Sequence, residues 1–399
     1  MNLLGISWKY LKNKPLNTLL SLLLTVFGVA TITVLLLLSR QLEDKLLKDA
    51  RGIDLVVGAK GSPIQLILCN IFHIDNPTGN IKLSEATALM RNRMVKKAIP
   101  VSLGDNYEGY RIVGTSPDYL ALYKTEIATG KPHNKVMEVT LGAEVARRTG
   151  LKINDSFAGS HGLSGSEDVH ENAKYKVTCV LKPSGSVADR LIITNLESVW
   201  EVHDGHSMGN MPDTSQQLNK EITALLVQYR SPMAAINLPR FINSQTNMQA
   251  ASPAYETVKL LKNIGVGIDA LQIFGYLVMG MASLSVFISL FNALKERRYD
   301  LAVMRMLGAS QTKIFVLIIL EGLLIVVLGT LLGLALGHLG LYFLQKALEN
   351  AQQIELGSLY FLQEEIWILL LAPVLGLLAA LIPALSAYNL DISKILAKE

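Results

Sequence analysis

The sequence predicts an α-helical membrane protein with four transmembrane helices and one large mixed α+β domain inserted between helices 1 and 2. Three observations predict it. Half of the 399 residues are apolar and only 18% are charged, a composition too apolar for an ordinary soluble protein. The apolar residues gather into four long runs. Residues 39–265, by contrast, hold 26 of the 37 Lys and Arg and 23 of the 33 Asp and Glu, the balanced charge of a soluble folded domain. The net charge of +4 is small for the length and gives no bulk attraction for nucleic acid. Cys69 and Cys179 are the two cysteines; they exclude a disulfide scaffold and a four-cysteine zinc module and leave one bridge open.

Taken in order, residues 1–15 form a basic, amphipathic N-terminal segment with Lys9, Lys12 and Lys14 and no acid. Leu16–Leu38 is the first span, 23 residues without a charge, where about 20 helical residues cross the ~30 Å hydrocarbon core. It is longer than a signal-peptide core and lacks a small-x-small cleavage site, so it reads as an uncleaved anchor. Residues 266–294 contain the second span, with Ala270–Leu294 free of charge. Residues 314–345 form the third, interrupted by Glu321 and His338, and residues 366–390 the fourth, again uncharged. Basic residues crowd the N-terminus, the 295–313 loop and the 391–399 tail, whereas the 346–365 loop carries four glutamates. The positive-inside rule therefore places both termini in the cytoplasm and residues 39–265 outside it.

In the inserted domain, Gln41–Arg51 continues the first span outward as a stalk. Strand patterns fall at Ile53–Val57, Tyr110–Gly114, Lys174–Leu181, Leu191–Thr194 and Ile222–Tyr229. Helical patterns fall at Ser84–Lys97, with Ser84 as N-cap, at Gly142–Thr149, at Pro232–Asn247 and at Pro253–Lys262, which leads into the second span. The apolar run Ile64–Ile71 reads either as a buried element of the domain or as an apolar lip that meets lipid. His161, His170, His203 and His206 are candidate zinc ligands, with Glu167, Asp168 and Asp204 among them. Their spacing matches no closed site, and a solvated loop stays open beside a metal-related role. No Ser/His/Asp or Cys/His constellation is present, so no enzymatic chemistry is expected.

The 295–313 loop contains a short amphipathic helix. Leu301, Met304 and Leu307 or Gly308 share one face by helical spacing, and Arg297, Arg298 and Arg305 supply charge. Such a helix between two spans suits docking in a groove of a cytoplasmic partner. Gly308 reads as the C-cap and Ser310 as the N-cap of the third span. In that span Gly329, Gly333 and Gly337 recur every four residues, a spacing that permits close helix packing. Glu321 is an intramembrane acid that needs a partner within the bundle.

Glu296-Arg297-Arg298 followed by Arg305-x-x-Gly308-Ala309 resembles the signature of MacB/FtsX-like ABC transporter permeases. The tail, Ile382-Pro383-Ala384 with Ala387-Tyr388 and Asp391–Leu396, is similar to that family too. So is the order of one span, a large periplasmic domain and three further spans, an architecture like that of LolC and LolE. Val56–Ile81 resembles one subgroup. Asp300 stands where the family often has glutamate. The resemblance implies an inner-membrane permease, as a homodimer or heterodimer, that binds two copies of a separate ABC ATPase. The coupling residues would be Glu296, Arg297, Arg298, Leu301, Met304, Arg305 and Gly308. ATP and Mg²⁺ would be held by that partner, because this chain has no P-loop: Gly130-Lys131 runs into Pro132. The ATPase stroke would be transmitted to the periplasmic domain to export or extract a periplasmic or lipid-linked substrate, with a lipoprotein or other periplasmic partner and membrane lipid as further contacts. Two other readings stay open, a regulator that activates an envelope enzyme and a component of a zinc-linked transport system.

Overall fold

The structure is a computed structural model that describes residues 3–13, 15–160, 169–204, 220–350 and 361–389. It divides into two compact units, Met1–Leu42 with Ile264–Glu399, and Glu43–Asn263. The elements in chain order are α1 (Leu3–Asn13), α2 (Pro15–Asp49), β1 (Leu55–Ala59), α3 (Pro63–Asn70), β2 (Ile81–Lys82), α4 (Leu83–Met90), β3 (Val95–Tyr107), β4 (Tyr110–Thr115), α5 (Asp118–Leu122), β5 (Ile127–Gly130), β6 (Glu138–Leu141), α6 (Ala143–Thr149), β7 (Ser156–Ser160), β8 (Val169–Leu181), β9 (Ile192–Thr194), α7 (Leu196–Asp204), β10 (Glu221–Ile222), β11 (Ala224–Tyr229), α8 (Pro232–Gln245), β12 (Met248–Ala251), α9 (Pro253–Glu296), α10 (Arg298–Met306), α11 (Gln311–Asn350) and α12 (Glu365–Tyr388).

Four helices, α2, α9, α11 and α12, are long and apolar enough to cross a membrane. At 1.5 Å per residue, α2 spans roughly 52 Å and α9 roughly 66 Å, so both outrun a hydrocarbon core of about 30 Å. The stalk expected at Gln41–Arg51 is the unbroken continuation of α2 to Asp49, and Pro253–Lys262 is the first part of α9. Close approach explains how the bundle packs. A Cβ added at Gly329 would lie 2.7 Å from Thr25 Cβ, one at Gly333 2.7 Å from Val29 Cβ, and one at Gly337 2.9 Å from Thr33 Cβ. The three glycines of α11 thus meet Thr25, Val29 and Thr33 of α2, two matched four-residue rows. Both threonine hydroxyls bond inside their own helix, Thr25 to Ser21 O at 2.8 Å and Thr33 to Val29 O at 2.9 Å. Gly376 of α12 meets Val326 of α11, and Gly322 of α11 meets Ala380 of α12, in the same way. At the far end of α11, His338 Nε2 lies 3.0 Å from Glu365 Oε2 and its ring stacks on Phe361. Arg40 pairs with Glu364 at 2.8 Å.

The second unit is built on one sheet of order β12-β1-β11-β3-β4-β9-β6-β8-β5, with β7 bridging β3 and β8. The pairs β4/β9 and β6/β8 are parallel and the rest antiparallel. Two apolar cores form on it. One gathers Leu55, Val57, Leu225, Val227, Leu238 and Ile242; the other gathers Tyr110, Ile112, Val139, Phe157, Tyr175 and Val177. The end of α2 grips the loop between β8 and β9. Lys45 Nζ donates to Gly185 O and Lys48 Nζ to Ser184 O, each at 3.0 Å, while Asp49 Oδ1 accepts from Val187 N–H at 2.9 Å. Asp189 locks that loop from within by accepting from the N–H groups of Ser184 and Gly185.

Several expectations need correcting. The helix read over Ser84–Lys97 stops at Met90, and Lys82, not Ser84, holds the N-cap position. Asn92 ends it, because its side-chain oxygen accepts from Met94 N–H at 2.9 Å and its carbonyl from Val95 N–H at 3.0 Å. Val95 then opens β3, a 13-residue strand. The run Ile222–Tyr229 is two strands broken at Thr223, and the first strand is Leu55–Ala59 rather than Ile53–Val57. The Ile64–Ile71 run is α3, capped by Ser62, with Leu66, Ile67, Cys69 and Ile71 buried; the lipid-facing lip is therefore not formed. Cys69 and Cys179 are both buried and free, and burial pushes the Cys69 thiol up to about 11.

Two outcomes follow from this packing. Gly333→Leu drives a side chain into Val29 and the Val26 carbonyl, and overpacking of this kind costs about 1–3 kcal/mol. Its thermal midpoint in detergent drops, while Gly280→Ala, where nothing lies within 4 Å, leaves it nearly unchanged. In the other unit, burial drives His133 down to about 4 and His73 well below the ordinary histidine range. The folded domain keeps both rings neutral while the unfolded chain protonates them below about pH 6.5, so stability is full above that value and falls as pH drops toward 4. Melting curves across this range show a slope that His133→Gln flattens; an unaltered slope would remove the buried imidazole as its cause.

Candidate coupling site

The helix expected in the 295–313 loop is α10 (Arg298–Met306), set off by a one-residue break at Arg297 and a glycine stop at Gly308. α9 ends at Glu296. Arg297 leaves helical geometry, yet its N–H still donates to Ala293 O at 3.1 Å and its carbonyl accepts from Leu301 N–H at 3.0 Å. At the other end Gly308 has φ +93°, a left-handed conformation that suits glycine. Gly308 N–H donates to Arg305 O and Ala309 N–H to Met304 O, both at 3.0 Å, the paired bonds of a Schellman stop. Gly308 therefore stands one residue beyond the C-cap, Leu307. Ser310 Oγ accepts from Lys313 N–H at 3.3 Å and caps α11.

The side chains of α10 sort onto two faces. Leu301 is buried in one cluster with Leu290, Leu294, Ile314 and Leu317 of α9 and α11, and its neighbour Ala302 is buried too. Met304 and the α1 residues Leu3, Ile6 and Tyr10 pack against the same core, and Tyr10 OH lies 3.8 Å from Met304 Sδ. Arg297 also turns inward. Its guanidinium bonds Glu321 Oε1 of α11 at 3.1 Å and lies 4.2 Å from the Tyr10 ring centroid. Glu321 is only 3% exposed, and the partner it needs is Arg297. Three elements, α1, the α9–α10 junction and α11, thus meet on one ion pair. Ser7 Oγ adds a bond to Leu317 O at 3.4 Å.

Of the residues assigned to coupling, Arg297, Leu301 and Met304 therefore seat the helix in its own bundle. Arg305 is half-buried, while Glu296, Arg298 and Gly308 are exposed. The outward face carries Tyr299 and Met306, 50% and 58% exposed, which sequence reasoning passed over, and Leu307, 83% exposed, which it had placed on the face of Leu301; Val303 lies between them, half-buried. Their spacing, i, i+4, i+7 and i+8, is a second amphipathic stripe. It was visible in the sequence, but nothing in the sequence says which of two apolar stripes is covered.

Of the candidate zinc ligands, His161 and His206 lie outside the described residues. His170 falls in β8 and His203 in α7, and the positions of their side chains are not described. Among the described residues no group of three or more His, Cys, Asp or Glu is arranged to hold a metal ion.

Residues 18–237 match the model of the MacB-like periplasmic core domain, and residues 272–392, which contain α10 and Glu321, match that of the FtsX-like permease C-terminal region. The chain belongs to the MacB/FtsX-like family of ABC transporter permeases. A curated relative of this permease is the lipoprotein-releasing system transmembrane protein LolE of Haemophilus influenzae, 25% identical over 199 residues. The match spans 44% of this chain and 46% of that protein, under half its length. Among solved structures, the periplasmic region of MacB from Actinobacillus actinomycetemcomitans aligns with 54% of this chain and 97% of its own, at 12% identity and a TM-score of 0.35. The extracellular domain of the transporter YknZ from Gram-positive bacteria aligns with 50% of this chain and 99% of its own, at 13% identity and a TM-score of 0.30.

Removing one side of the buried pair should cost more than removing both. Arg297→Met leaves Glu321 without its cation and destabilises by about 3–5 kcal/mol; adding Glu321→Leu restores most of the loss. Thermal unfolding of the three proteins in one detergent measures this, and equal losses in single and double variants would refute the pairing.

Proposed function

We propose that this permease couples the ATP hydrolysis of a separate ABC ATPase to movement of its inserted domain, and so exports or extracts a substrate on the far side of the inner membrane. The observation that carries the reading is the outward stripe of α10. A helix that exposes Tyr299, Met306 and Leu307 while its other face is fixed to the bundle has the form of a docking element. Arg298 beside it supplies charge. The stripe receives an ATPase groove, one ATPase per permease, and two permease copies stand over an ATPase dimer. Both termini lie in the cytoplasm, in keeping with the basic residues of the N-terminus, the α10 loop and the tail.

A push on α10 does not dissipate in a mobile loop. The Arg297–Glu321 pair and the Tyr10 ring tie α10 to α1 and α11, and the glycine rows tie α11 to α2. α2 and α9 each continue as one helix beyond the length of a span, and in this reading that continuity is the path by which movement leaves the bundle. The α2 end is fastened to the β8–β9 loop by Lys45, Lys48 and Asp49. Lipoproteins, the cargo in the name of the LolE relative, are one substrate class that fits such a pull.

Leu307→Glu combined with Met306→Glu places two carboxylates on the docking stripe without touching the core. Copurification with the ATPase falls at least tenfold, an expected loss of about 1.4 kcal/mol or more, with an unchanged thermal midpoint. Undiminished copurification would remove α10 as the docking element.

A further inference from the structure

The second unit holds a cleft of about 620 Å³ that coupling does not use, a volume within the range of small-ligand sites. Its walls are two helix faces. Glu85, Ala88, Leu89 and Asn92 recur at i, i+3, i+4 and i+7 along α4 and its end, and Phe241, Ser244 and Gln245 do so at the end of α8. The floor is the margin of the sheet. Ala59 of β1 pairs with Met248 of β12, which brings Lys60 beside Asn247, since the neighbouring strands run antiparallel.

The polar groups of the cleft fall into two classes. Ser244 donates to Arg240 O and Thr246 to Ile242 O, both at 2.7 Å, and Asn92 accepts from Met94 N–H; these are committed to the fold. The side chains of Lys60, Glu85, Gln245 and Asn247 make no hydrogen bond or ion pair among the described residues. Between them lie buried Leu89 and Met248 and the 43% exposed ring of Phe241.

We propose that this cleft binds an extended peptide segment bearing one acidic group, one basic group and one apolar side chain. Each uncommitted amide offers a donor and an acceptor, the pair that a peptide main chain presents at every residue. Lys60 matches a carboxylate, Glu85 an ammonium or guanidinium, and Phe241 with Leu89 and Met248 an apolar side chain. A simple anion meets Glu85, a divalent cation finds a single carboxylate, a neutral sugar leaves both charges unused, and an acyl chain leaves both amides unused. The peptide does not extend the sheet through Ala250. The Asn243 side chain already holds that edge, accepting from Ala250 N–H at 2.7 Å and donating to Ala250 O at 3.3 Å. Recognition comes instead from side-chain amides.

The proposal goes beyond the transport reading, since binding needs no ATPase, and the two fail separately. The test is an array of immobilised random heptapeptides probed with the full chain in detergent. Captured sequences are enriched in members with one acidic, one basic and one aliphatic or aromatic residue. Phe241→Ala weakens capture about tenfold. Lys60→Glu moves the preference from the acidic toward a second basic residue, and Glu85→Lys does the reverse. All three substitutions leave the thermal midpoint and ATPase copurification unchanged. A silent array, capture indifferent to all three substitutions, or capture on a glycan array with the peptide array silent would each overturn the assignment.

Discussion

One buried ion pair organises the end of the bundle from which α10 projects. A carboxylate inside a span is costly unless a partner satisfies it, and Glu321 of α11 is almost wholly covered. Its partner, Arg297, sits where α9 breaks and α10 begins. To reach Glu321 the guanidinium must turn into the bundle, and the backbone that carries it fixes where α10 starts. The Tyr10 ring covers the guanidinium, a cation–π contact that also holds α1 in place. The inward face of α10, Leu301 and Ala302, follows from this placement, and so does the exposure of Tyr299, Met306 and Leu307.

The remainder of the bundle obeys the same economy of polar groups and close contact. Lipid supplies no hydrophobic drive between helices, so packing rests on small residues and internal hydrogen bonds. The glycine row of α11 lets α2 approach to backbone distance, and the threonines it meets satisfy their hydroxyls within α2. At the other end of α11, His338 and Glu365 satisfy each other and Glu365 also accepts from Leu362 N–H. The bundle is therefore pinned by polar contacts at both ends and by small residues between them.

The four spans, the inserted α+β domain and the helix in the 295–313 loop were legible because each rests on local composition or period. A run of more than 20 uncharged apolar residues has few fates, and the Gly308 and Ser310 stop and start signals are local chemistry. Of the strands between Leu55 and Tyr229, β1, β4, β8, β9 and the β10–β11 run were readable as alternating segments, whereas β2, β3, β5, β6 and β7 were not read as strands. The failures occurred where a neighbour decided. Lys96 and Lys97 look helical in sequence, yet the sheet claims them because Ile99 and Val101 complete the strand between β4 and β11. The Ile64–Ile71 run was ambiguous because burial and lipid contact demand the same residues.

The candidate site divides along the same line. Periodicity and capping are properties of a few consecutive residues, so the amphipathic character of α10, its charge and its place between two spans were readable before any fold was known. Packing between distant helices settled which of its two apolar stripes is covered, that Arg297 pairs with Glu321, and that Tyr10, nearly 290 positions away in the chain, completes the contact. Those outcomes depend on which helices lie within a few ångströms of one another, and pairing across so long a loop leaves no periodic trace in the residues that take part.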